Sequence, residues 1–186
     1  MALVADPEET IGRRFVAVSL VLAGLVTVVL CFGLPAWASQ VAQTRIPAGA
    51  VTVGRVSLQP QPGWEELSDD ESSEPARHLV KDGVLLTVAT VPADAGPDPG
   101  GYLEALLDEF TVVADYDPVP FTSRSGDSGL IVLASGIDES GVFAVLVSRD
   151  GRDVALMPTV GDPVAVSALT PEIGDMVTAA RFRQAQ

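Results

Sequence analysis

Ser128, in the run Gly126-Asp127-Ser128-Gly129, and the single histidine, His78, are the residues whose types most directly promise chemistry. A serine becomes a nucleophile only when a base takes its proton and an acid orients that base. Chain order supplies His78, then acids, then Ser128. A second candidate is the acidic run Glu65 to Glu74, EELSDDESSE, because Ca²⁺ takes six to eight oxygen ligands. Asp115 and Asp117 form a smaller pair of the same kind. One cysteine, Cys31, excludes an intramolecular disulfide, and with His78 alone beside it no Cys/His zinc site can be assembled. No G-x-x-x-x-G-K-[ST] or G-x-G-x-x-G run occurs, so a nucleotide site has no support.

The context of each candidate weakens it. Gly126-Asp127-Ser128-Gly129 matches the residues around the nucleophile of chymotrypsin-like proteases, but Leu130 stands where a second glycine is expected. His78 lies in Arg77-His78-Leu79-Val80, without that family's surroundings, and residues 50–183 leave no room for two barrels. Gly-Asp-Ser-Gly is turn chemistry ahead of a strand, and His78 reads as a strand or hairpin residue. The acidic run lacks the D-x-[DN]-x-[DN]-G loop and reads as a solvated face. No catalytic, cofactor-binding or metal-binding residue is assigned, and no enzyme activity is expected.

The elements around these residues are easier to read. The 186 residues carry 11 Lys plus Arg against 25 Asp plus Glu, a net charge of −14, yet 47% are apolar. That charge argues against coating nucleic acid, which needs a basic face. The two properties are segregated. Phe15 to Ala38 is an uncharged run of 24 residues, and roughly 20 helical residues span the ~30 Å hydrocarbon core of a bilayer. A transmembrane helix is expected over residues 15–38. Arg13 and Arg14 abut its start and the next basic residue is Arg45, so the positive-inside rule keeps residues 1–14 in the cytoplasm and sends the rest across the cell membrane. Trp37 stands where an aromatic belt residue would anchor the far interface. Ala36-Trp37-Ala38 leaves a cleavable signal as an alternative, although the run exceeds the usual 7–15 residue apolar core of such signals. A lipoprotein signal at Cys31 and a twin-arginine signal at Arg13-Arg14 fit less well.

Residues 39–49 read as a linker with Pro47 and Gly49, and residues 50–186 as one extracytoplasmic domain. From residue 39 onward there are nine bases and 22 acids, 9 − 22 = −13, so anionic lipid headgroups are expected to repel this domain. Strands are expected at 51–59, 78–80, 84–91, 130–135, 142–148 and 153–160, with an edge-like one at 119–123. Lys81-Asp82-Gly83 reads as a hairpin turn. Asp98 and Pro99 open a helix carrying Leu103, Leu106, Leu107 and Phe110, and Thr170-Pro171-Glu172 open another carrying Ile173, Met176, Val177 and Ala180. Helices with one apolar stripe and strands apolar on both faces give an α+β class, an antiparallel sheet covered by two helices.

Val56 to Trp64, with its Pro62-Gly63-Trp64 turn, resembles the opening of PsbP-like domains, extrinsic modules named after a subunit of the oxygen-evolving photosystem. The order of elements is similar too, as are Tyr102 to Phe110 and the closing Ile173 to Phe182. The resemblance covers about residues 50–183. It implies a PsbP-like fold and a non-enzymatic accessory role on a membrane assembly, and it favours a packed Trp64 over one projecting to a partner. The expected partner is therefore an integral membrane protein complex, of respiratory electron transfer, secretion or envelope building. The alternative is a module for a lipid, glycolipid or small ligand. The absence of Asn, with one Lys against ten Arg, points to a GC-rich bacterial genome.

Overall fold

The computed structural model describes residues 44–68, 76–93, 98–137 and 140–183. All belong to one compact unit, residues 41–186. The expected membrane helix, its flanks Arg13, Arg14 and Trp37, and most of the acidic run lie outside the described residues. Among those described, no helix is long and apolar enough to cross a membrane.

Fourteen elements are described. They are β1 (Thr44–Pro47), β2 (Val51–Val53), β3 (Val56–Leu58), β4 (Glu65–Ser68), β5 (Ala76–Lys81), β6 (Val84–Pro92), α1 (Pro99–Phe110), β7 (Val113–Ala114), β8 (Val119–Thr122), β9 (Ser128–Ser135), β10 (Ser140–Val147), β11 (Asp153–Gly161), α2 (Pro163–Ala179) and β12 (Arg181–Phe182). The main sheet runs β1-β4-β5-β6-β11-β10-β9-β7 with β8 also on β9, and every pairing is antiparallel. A second, three-stranded sheet runs β12-β3-β2.

The apolar runs dictate the layers. Alternate residues of a strand face opposite sides, and β10 is buried on both. Val142, Ala144 and Leu146 join a core with Val166, Ile173 and Met176 of α2 and with Val51, Val56 and Leu58 of the small sheet. Phe143, on the other face, meets Phe110 of α1 edge-on, with ring centroids 5.3 Å apart. The two helices therefore cover opposite faces, the expected α+β arrangement.

Four expectations change, the first being the acidic run read as a solvated loop, whose Glu65–Ser68 forms β4 with Leu67 buried. Residues 51–59 form two strands, because Gly54 takes a φ of 54° and turns the chain back at Gly54-Arg55. The stretch read as a linker supplies β1, whose backbone pairs with β4. The last helix begins at Pro163, not at Thr170, and Pro171 lies inside it. The buried series Val166, Leu169, Ile173, Met176, Val177 keeps one spacing across the proline, and that packing outweighs the backbone bond that Pro171 forgoes. Asp162 caps the helix, its carboxylate accepting Val164 N–H at 2.9 Å. Asp98 caps α1 in the same way through Gly100 N–H at 3.0 Å.

Candidate functional site

His78 and Ser128 do not meet. His78 lies on β5 and Ser128 on β9, with β6, β11 and β10 between them. Four interstrand steps alone separate them by roughly 19 Å, and Ser128 lies further along its strand as well. The imidazole instead pairs its Nδ1 with Thr87 Oγ1 at 3.0 Å across the hairpin. That hairpin turns at Asp82 (φ 49°) and Gly83 (φ 80°), as the sequence led one to expect. Asp115 accepts the Ser135 hydroxyl at 2.8 Å. Among the described residues no cluster of three His, Cys, Asp or Glu side chains is placed to hold a metal ion.

Trp64 is packed, 2% exposed in the core beneath α2. Its indole N–H donates to Glu172 Oε1 at 2.6 Å. Lys81 Nζ donates to both oxygens of that carboxylate at 2.8 Å and to the Pro62 carbonyl at 3.0 Å. The turn that presents Trp64 is thus tied to the hairpin tip and to α2, and the tryptophan anchors the fold instead of offering itself to a partner.

The polar site that the structure builds lies at the end of the sheet carrying Ser128, Ser148 and Asp153. Asp127, 3% exposed, is its centre. Its carboxylate accepts the backbone N–H of Arg149 at 3.0 Å and of Phe182 at 3.3 Å, with the hydroxyls of Ser123 and Ser125. One buried acid therefore holds together three segments: the turn before β9, the turn between β10 and β11, and β12. Buried carboxylates are tolerated when their lone pairs are filled in this way.

Arg55, at the β2–β3 turn, closes the other side. Its guanidinium donates to Asp153 Oδ2 at 2.6 Å, to Asp150 Oδ2 at 2.9 Å and to the Arg183 carbonyl at 3.1 Å. The bond from Arg55, then those from Ser148 and the Arg152 backbone, hold the Asp150 carboxyl down to about 2. The same bond to Asp150 raises the Arg55 pKa.

Two clefts open on this end and share Ser125. One, of about 330 Å³, is lined by Arg55, Arg149, Arg152 and Arg183 around Asp127 and Asp150. The other, of about 390 Å³, is lined by Arg124 and Arg181 with Ser57 and Gln59. Six of the nine bases that follow residue 38 thus gather at one end of an acidic domain. Sequence reading missed this cluster because the arginines come from four separated segments and show no run. The local signals are two short pairs, Arg149-Asp150-Gly151-Arg152 and Arg181-Phe182-Arg183.

No family model matches the chain, and no curated protein matches it in sequence. Solved structures do match in shape. The cyanobacterial PsbP, CyanoP, of Synechocystis sp. PCC 6803 superposes with a TM-score of 0.53 at 7% identity, covering 81% of this chain and 99% of that one. LpqN of Mycobacterium tuberculosis, described as involved in cell envelope biogenesis, gives 0.52 at 13% identity over 77% and 92%. The described domain has a PsbP-like fold.

Proposed function

We propose that the chain is a single-pass, membrane-anchored, non-enzymatic accessory or assembly subunit that docks its PsbP-like domain on the extracytoplasmic face of a bacterial membrane protein complex. The observation that carries this reading is the pairing of an uncharged 24-residue segment, Phe15 to Ala38, with a domain in which Asp127 and the Trp64–Glu172 pair hold turns together. Arg13-Arg14 set the orientation, and β1 begins within six residues of Ala38. So short a tether keeps the domain at high effective concentration near any membrane partner. CyanoP and LpqN, the latter tied to envelope biogenesis, lend analogy in fold alone. Respiratory electron transfer, secretion and envelope building all fit. Cross-linking in intact membranes followed by mass spectrometry tests the reading: cross-links from the domain to an integral membrane protein are expected, and their absence at saturating cross-linker refutes it.

The second reading, a binding module for an envelope lipid, glycolipid or small ligand, gains from the two clefts beside Ser125. They lie at the end of the sheet, not between helix and sheet. Native mass spectrometry that finds a retained ligand, and no co-purifying subunit, would put this reading first.

A further inference from the structure

The arginines around Ser125 are not all engaged. Arg55 is neutralised by Asp150 and Asp153, Arg77 faces Glu66 at 3.5 Å, and Lys81 holds Glu172. Among the described residues no carboxylate pairs with Arg124, Arg149, Arg152 or Arg181, although the chain has 25 acids to choose from. Arg183 gives one N–H to Thr52 Oγ1 at 3.0 Å and faces the first cleft with the rest. Asp127 makes no ion pair with this group; its oxygens accept backbone N–H and hydroxyl donors instead.

Guanidinium forks match tetrahedral oxyanions, and several of them converging favour a phosphate over a lone carboxylate. The backbone of the site is held before any ligand arrives, because Asp127 pins the segments bearing Arg124, Arg149 and Arg181. Such preorganisation removes part of the ordering cost of binding. The first cleft, about 330 Å³, is at the lower end of small-ligand pockets, enough for a phosphate and a compact polar group.

We propose that this end of the domain is a binding site for a phosphate-bearing ligand, seated between Arg149, Arg152 and Arg183, with Arg124 and Arg181 framing the adjoining cleft. The ligand is a phospholipid headgroup or a soluble phosphate ester; both present the same oxygens. The net charge of −13 does not decide the matter, because four arginines line the first cleft against two acids, Asp127 and Asp150, and Asp150 is already paired with Arg55. This inference deepens the binding-module reading and rests on it.

The test uses the full chain in mild detergent, titrated with glycerol 3-phosphate and with short-chain phosphatidylglycerol, with glycerol as control. Saturable binding of either phosphate compound is expected, weakened about tenfold or more in Arg149→Gln/Arg152→Gln and by added salt, while Arg77→Gln leaves it unchanged. Binding of the ester alone or of both compounds identifies a soluble phosphate as sufficient, and binding of the lipid alone identifies a headgroup. No binding of either, or binding that the double variant leaves intact, overturns the proposal. A retained uncharged ligand in native mass spectrometry would overturn it too, while keeping the module reading.

Discussion

The Asp127 carboxylate accepts the backbone N–H of Arg149 at 3.0 Å, joining the turn before β9 to the turn between β10 and β11 across 22 residues. Asp127 sits in a motif that matches a protease nucleophile turn in sequence but reads there as a plain turn before a strand, and it works as a clamp in space.

Removing that clamp is costly. Asp127→Ala leaves the N–H groups of Arg149 and Phe182 without the acceptor that a 3% exposed carboxylate supplies. Hydrogen bonds to a charged group contribute about 1.5–3 kcal/mol each, so urea unfolding should show a loss of at least about 3 kcal/mol. Ser128→Ala, on an exposed position of β9, should shift the midpoint hardly at all. Equal effects from the two substitutions would contradict the assignment.

Trp64, Glu172 and Lys81 should behave as one unit. Trp64→Phe forfeits the indole bond and part of the packing, at about 2 kcal/mol. Glu172→Gln removes the charge that both partners share. A double-mutant cycle should give a coupling of about 0.5–3 kcal/mol. Strict additivity would show that the 2.6 Å contact contributes nothing.

Asp150 sets an acid-side dependence. Its folded pKa of about 2 lies below the ordinary 3.8. A carboxylate depressed in this way stabilises the fold fully above 3.8, and the contribution fades as pH falls through that window towards about 2. Carboxyl chemical shifts should place the Asp150 midpoint near 2, and Arg55→Gln should return it towards 3.8. A wild-type midpoint already at 3.8 would contradict the pairing.

Gly129 is required by space. A Cβ there would stand 2.5 Å from the Phe121 ring and 2.6 Å from the Val145 carbonyl. Gly129→Ala should cost about 1–3 kcal/mol by overpacking, whereas Gly174→Ala, with nothing within 4 Å, should be neutral or stabilising. Thermal unfolding of the two variants separates them.

Much of the scaffold could be read from residues alone, since strands buried on both faces, the Asp82-Gly83 turn and the Asp98-Pro99 cap are local signals. Asp162-Pro163 is the same cap signal, yet Thr170-Pro171-Glu172 drew the helix start because an interior proline normally ends a helix. Only the packing of Val166 and Leu169 reveals that the helix continues through it. Gly126-Asp127-Ser128-Gly129 was legible as a turn, but not the role of Asp127, whose partners lie 22 and 55 residues away. The arginine cluster was illegible for the same reason: its members are neighbours only after the sheet ends converge.

The central claim is that this domain works as part of a membrane assembly. The direct measurement is the native mass of the chain extracted from its own membranes in mild detergent. The account predicts that most of the 19.3 kDa chain migrates in a complex with at least one integral membrane protein. A chain that runs alone in its micelle, with no co-migrating subunit, would contradict it.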